Sequence, residues 1–227
     1  AATIAREFTE RRQVEDHKNH LMAELDHRMK NTLMIITSLV RQTLKSSPSP
    51  EAFAAEITGR IQALSRVHSL LNQANWDTAE LSDLVEGELA PYRSGGNVVI
   101  TGKNEIVLTA KATLTLAMAL HELTVNAAKY GALSAPGGRV EVNWTVTNES
   151  SGPGLSIEWT ESGGPRVAHP TRRGFGSQLI ERIVSYELEA DVQREFGEEG
   201  VRCTIRFPLS QKNGYFRPVR RNRKTRP

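Results

Sequence analysis

The side chains of this 227-residue sequence best suited to chemistry fall in three separated segments. The first is Glu24-Leu25-Asp26-His27-Arg28-Met29-Lys30-Asn31. Advancing about 100° per residue from His27, Leu25, Met29, Ile36 and Val40 gather between about 160° and 220°, so on a helix the imidazole points away from the apolar stripe. Glu24 and Asn31 fall within about 60° of it and Lys30 lies on the same side, groups that can orient an exposed ring or bind an incoming phosphate. A neutral imidazole is a competent nucleophile. Taken alone, the segment reads more simply as a solvated helix face, as do His17, His20 and His68.

The second segment, His121-Glu122-Leu123-Thr124-Val125-Asn126-Ala127-Ala128-Lys129-Tyr130-Gly131, follows the apolar run Leu114–Leu120. Glu122, Asn126 and Lys129 recur along one edge of the implied helix. A buried carboxylate without a partner is costly, and two hard oxygen donors beside an ammonium suit a Mg²⁺–triphosphate. A surface ion pair between Glu122 and Lys129 is the plainer alternative, and it leaves Asn126 unexplained. The third segment is split, Trp159-Thr160-Glu161-Ser162-Gly163-Gly164-Pro165 and then Gly174-Phe175-Gly176-Ser177. Glycines let a ligand approach the backbone, and a helix opening after Gly176 offers free N–H groups to phosphate. Each half is common by itself. Arg172 and Arg173 are phosphate contacts or solvated lid residues.

These segments need elements to hold them. Ile4 to Gln42 has neither Gly nor Pro and steps its apolar residues by three and four, predicting one long helix that stops in Ser46-Ser47-Pro48-Ser49-Pro50. A second periodic stretch, Glu51 to about Asn75, completes an αα-hairpin. Its stripes, Leu25/Met29/Ile36/Leu39 and Phe53/Ile57/Ile61/Leu64/Val67/Leu71, need cover. A second copy forming a four-helix bundle is the simplest source, and the following domain is another. Beyond Trp76 the pattern predicts a helix over Leu81–Leu89, short strands at Val98–Ile100 and Ile106–Leu108, and a strong helix over Ala112–Tyr130. Arg139–Thr147 and Leu155–Thr160 read as antiparallel strands, Gly174–Leu188 as a helix, and Val201–Phe207 as a strand closing the sheet. The fold class is α+β.

Composition narrows the function. Lys and Arg number 29 against 26 Asp and Glu, yet Arg217–Pro227 holds six bases and no acid, leaving 23 against 26 elsewhere. The basic excess thus belongs to a tail and says little for a nucleic-acid partner. Cys203 is the sole cysteine, which excludes an internal disulfide and a cysteine metal site and fits a reducing, cytoplasmic compartment. No apolar run approaches the ~18 residues of a membrane span. The start at Ala1, without initiator Met or signal-peptide pattern, points to a piece of a longer protein.

Taken in order, His on a hairpin helix, His-Glu-x-x-x-Asn, Trp-x-Glu-x-Gly-Gly-Pro and Gly-x-Gly, the region Leu21–Leu209 resembles the HWE family of sensor histidine kinases. Its naming residues are matched by His121, Trp159 and Glu161. The resemblance implies a signalling-helix linker over 1–20, a dimerisation and phosphotransfer hairpin over 21–75, and a catalytic ATP-binding domain over 80–209. That domain would be an α/β sandwich of the gyrase–Hsp90–histidine kinase type, with 210–227 left as a flexible basic tail. It further implies His27 as phosphoacceptor, Asn126 with Glu122 on Mg²⁺, Lys129 and Tyr130 beside triphosphate and sugar, and Glu161 toward the adenine amino group. His121 and Trp159 would belong to the same ATP site. Gly163, Gly164, Arg173, Gly174, Gly176 and Ser177 would shape the pocket and a short lid. Arg28 stands where many histidine kinases carry an assisting acid, so Asp26 and Glu24 are the candidates for general base.

The implied partners are a response-regulator receiver domain, a second copy of the chain, and an upstream PAS-type sensor. The last follows from Arg6-Glu7-Phe8-Thr9-Glu10-Arg11-Arg12, which is similar to the segment that often ends a PAS domain. Two rivals stand beside this reading. One is an ATPase or serine kinase of the same nucleotide-binding fold, separated by acid-stable phosphate. The other is a helical scaffold with a nucleic-acid-binding tail, separated by salt-dependent binding lost with Arg217–Pro227.

Overall fold

The computed structural model describes residues 15, 22, 29–30, 32–73, 77–102, 105–149, 152–166, 179–198 and 200–217. The chain divides into two compact units, Ala1–Ile57 and Thr58–Pro227. In the first, residues 32–46 are helical (α1) and are followed by the start of α2, Pro50–Gln73. Pro48 and Pro50 end one helix and open the next. Ser49 Oγ accepts the Ala52 N–H at 3.2 Å, closing the new N-terminus.

The division falls inside α2, upstream of the junction at 75–80 read from the sequence. Ala63, Leu64, Val67 and Leu71 are already buried in a single chain, whereas Ile61, Leu33, Met34 and Leu44 are exposed. The stripe is therefore covered on one side without a second copy.

In the second unit, β1 (Thr78–Glu80) leads into α3 (Leu81–Leu89), then β2 (Val98–Ile100), β3 (Glu105–Thr109) and α4 (Ala110–Lys129). Next come β4 (Arg139–Glu149) and β5 (Gly152–Ser162). A π-helical stretch, Leu179–Val184, runs into a short α-turn, Ser185–Leu188 (α5), before β6 (Asp191–Gly197), β7 (Gly200–Pro208) and β8 (Gly214–Arg217). The main sheet has the order β2-β4-β5-β7-β6, antiparallel except for the β2–β4 pair. Its inward rows run straight across three strands: Trp144, Ile157 and Ile205 in one, Val142, Trp159 and Cys203 in the next. All six are buried, while Glu141 and Glu158 on the opposite face are exposed, so alternation alone explains which face the helices cover.

Two expectations change. Val201–Phe207 does not close the sheet: β7 lies between β5 and β6, and β6 is the edge strand. The basic tail expected from residue 210 contains a strand, β8, paired antiparallel with β3 in a small β1-β3-β8 sheet. Buried Asn213 fixes its entry by donating through Nδ2 to the carbonyls of Leu188 and Pro208. The same segment supports the start of α4. Thr109 Oγ1 caps that helix by accepting the Ala112 N–H, and it donates to the Lys212 carbonyl at 2.8 Å.

Candidate functional site

Glu161 occupies the next inward position of β5 after Trp159, directly opposite the fully buried Val140. A carboxylate 5% exposed in such a row requires partners, and it has two. Its Oε2 accepts the Ala132 backbone N–H at 2.9 Å, and its Oε1 accepts the Trp159 indole N–H at 3.2 Å. Burial is the largest influence on this group and raises its pKa above the usual carboxylate range. The two hydrogen bonds and the nearby Arg194 charge pull downward without offsetting it.

Ala132 reaches Glu161 because α4 stops sharply. The N–H groups of Tyr130 and Gly131 both fold back onto the Asn126 carbonyl, at 2.8 and 3.1 Å, and a 3₁₀ turn at Ala132–Ser134 follows. Close packing explains the glycines here. A Cβ on Gly131 would overlap Glu161 Oε2, and one on Gly164 would press on the Ala132 backbone. Gly163 takes φ +68°, where side chains are disfavoured. The end of α4 and the Gly163-Gly164 turn thus form one surface, with Asn126 half-buried and Lys129 and Tyr130 exposed beside it.

His121 and Glu122, one turn earlier on α4, have partners on other helices. Arg60 of α2 clasps Glu122 in a bidentate pair, Nε to Oε1 at 2.7 Å and Nη2 to Oε2 at 3.2 Å. The side chains are only 6% and 9% exposed. The Glu122–Lys129 pair weighed from sequence is replaced by this interhelical one. Arg66, also on α2, holds both oxygens of buried Glu88 on α3 at 3.0 Å, and Glu88 Oε2 lies 3.4 Å from His121 Nδ1. Burial pushes the Glu88 carboxyl up, but the hydrogen bonds and charges of His121 and Arg66 outweigh it and leave the group below the usual range.

Arg60, Arg66 and Glu88 were not among the residues expected at the site. A signal for the first existed: Arg60, Leu64, Val67 and Leu71 share one helix face by their spacing, so Arg60 is a charge within a buried stripe. His27, Asp26, Glu24, Asn31, Arg172, Arg173, Gly174, Gly176 and Ser177 lie outside the described residues. Among the described residues no group of three or more His, Cys, Asp or Glu could hold a metal ion. No helix among them is long and apolar enough to cross a membrane.

Known proteins resemble this chain in sequence and in fold. The family model for HWE histidine kinase matches residues 24–104, from the hairpin through α3 toward β3. A blue-light-activated histidine kinase of Brucella anthropi is 34% identical over 208 residues, 91% of this chain. Its counterpart in Brucella ovis is 32% identical over the same share. In both cases this chain spans 42% of the relative's length. Among solved structures, the blue-light-activated histidine kinase of Erythrobacter litoralis matches with a TM-score of 0.59 at 19% identity, covering 83% of this chain and 59% of that one. Its separate histidine kinase domain matches with a TM-score of 0.53 at 16% identity, covering 78% and 95%. At such identities the structures speak for the fold alone, a helical region followed by an ATPase-type α/β sandwich. Together with the Trp159/Glu161 pair on β5 and His121 on α4, the sequence matches make the chain a member of the HWE histidine kinase family.

Proposed function

We propose that the chain is the output module of a sensor histidine kinase. It takes the γ-phosphoryl group of Mg-ATP onto His27 and hands it to an aspartate of a response-regulator receiver domain. The observation that most supports this is the Glu161 carboxylate, sunk at the end of an apolar row and steadied by Ala132 and Trp159. A carboxylate offers about four lone-pair sites, so two protein donors leave room for the exocyclic amine of adenine.

Asn126 supplies a half-buried amide oxygen one turn from the helix end. Mg²⁺ is commonly held by one or two protein oxygens with the substrate phosphates and water, so Asn126 fits that role. Glu122 joins it only by giving up Arg60. The ion, when bound, neutralises charge on the β- and γ-phosphates. Lys129 and Tyr130, both exposed at the end of α4, flank triphosphate and sugar.

In the transfer, an imidazole nitrogen of His27 bonds to the γ-phosphorus as the bond to the β–γ bridging oxygen breaks and ADP leaves. The attacking nitrogen is the unprotonated one, and the proton on the other ring nitrogen passes to Asp26, Glu24 or solvent. Phosphohistidine then donates the group to the receiver. Positioning and charge neutralisation carry the chemistry. Dimerisation through the hairpin, an upstream PAS-type sensor and a cytoplasmic setting belong to the same proposal.

The test of the site is nucleotide binding. Glu161→Ala and Asn126→Ala should each weaken binding of a fluorescent ATP analogue, the second only when Mg²⁺ is present. Unchanged affinity in both would place the nucleotide elsewhere. Phosphate that survives acid would favour a serine kinase of the same fold.

A further inference from the structure

Both members of the His121-Glu122 dipeptide are tied to α2. Arg60 holds Glu122 directly, and Arg66 reaches His121 through Glu88. The two arginines lie on the same helix, and the residues they reach are adjacent on α4. This amounts to a two-point clamp. Gly59, immediately before Arg60, faces the His121 ring so closely that a Cβ there would sit 3.4 Å from Nε2. The ring is therefore packed against the α2 backbone as well as linked to Glu88.

A single ion pair between helices acts as a hinge and permits rotation about it. A second link, here from Arg66 through Glu88 of α3 to His121 together with the close approach of Gly59 to that ring, fixes the relative rotation of α2 and α4 as well as their separation. Asn126 follows Glu122 by one turn on the same edge of α4, so a shift of α2 is transmitted to it through a rigid helix. We infer that Arg60 and Arg66 are positioning residues for phosphoryl transfer: they make the hairpin helix α2 and the nucleotide helix α4 move as one body. His121, on this view, reads the hairpin rather than the nucleotide. The inference rests on the proposed kinase activity, and it assigns a task to two residues outside the nucleotide site.

The experiment uses the whole chain and follows three quantities at a temperature well below the melting point: affinity for a fluorescent ATP analogue, KM for Mg-ATP, and kcat for autophosphorylation. Arg66 is 40% exposed, so Arg66→Gln should still fold. Its kcat should fall on the order of tenfold, with analogue affinity and KM within about twofold of wild type. Arg66→Lys, which keeps a charge on Glu88, should recover most of that loss. Arg60→Lys should show the same split between kcat and KM. A purely structural role would lower the melting temperature of these variants and leave kcat alone, and that result would overturn the inference. If wild type binds the analogue but incorporates no phosphate, the kinase reading itself has failed, which is a distinguishable outcome.

Discussion

Removing Arg60 tests the buried pair by stability. In Arg60→Ala the Glu122 carboxylate, 9% exposed, loses both of its guanidinium donors. Breaking a buried ion pair from one side costs about 3–5 kcal/mol, because the remaining charge is left uncompensated. With a urea m-value of roughly 2 kcal/mol/M for a unit of this size, the midpoint should fall by about 1.5–2.5 M. Circular dichroism at 222 nm, a general helix signal, follows the transition. The double variant Arg60→Met/Glu122→Leu removes both charges and should recover most of the loss, since apolar replacements of buried pairs are often neutral or better. Arg66→Ala provides the contrast. Its side chain is 40% exposed, and the Glu88 it leaves behind, though only 2% exposed, keeps His121 as a neighbour at 3.4 Å, so its midpoint shift should be smaller. A shift below about 0.5 M for Arg60→Ala would refute the claim that Glu122 depends on Arg60 for its solvation.

Other consequences follow from the same geometry. Glu88 has a folded pKa below its ordinary value of 4.5, so its contribution to stability is complete above that pH and is lost as pH falls through the folded value. Acid titration of Glu88→Gln should show a flatter limb below pH 4.5 than wild type. Glu161 has the opposite sign. Between 4.5 and its raised folded value the native state keeps a proton that the unfolded chain has released, so stability falls as pH rises, and Glu161→Gln should remove that slope in melting curves across the window. Gly131→Ala should cost about 1–3 kcal/mol through overlap with the Glu161 carboxylate, and should weaken ATP-analogue binding. A variant with wild-type stability and affinity would show that this contact relaxes freely.

Much of the architecture is written in periodicity. The alternation in Arg139–Thr147 and Leu155–Thr160 gave the central antiparallel pair because one face is buried and the other wet. The strands that escaped notice lack that contrast. β6, Asp191–Gly197, carries Arg194 and Phe196 on its more protected side and acids on the other, so charge obscures its period. β8 is four residues long and adjoins a basic run, and what orders it is Asn213 reaching Leu188 and Pro208. Such contacts have no local signature.

At the site, the motif around Trp159 and Glu161 indicated a polar group at a strand end. That Ala132 would supply its second donor depends on where α4 stops. The expense of burying Glu122 was foreseeable, but its partner was not, because Arg60 lies on a different helix and pairing across elements is fixed by tertiary packing. His121 illustrates the same limit, with Glu88 and Arg66 both far from it in sequence.

The most direct test of the account is transfer of γ-labelled phosphate from ATP to wild type and to His27→Gln. Phosphorylation of His27 requires an acid-labile, base-stable label on wild type and none on the variant, with ATP-analogue affinity equal in the two. Label persisting on His27→Gln, or surviving acid on wild type, would contradict it.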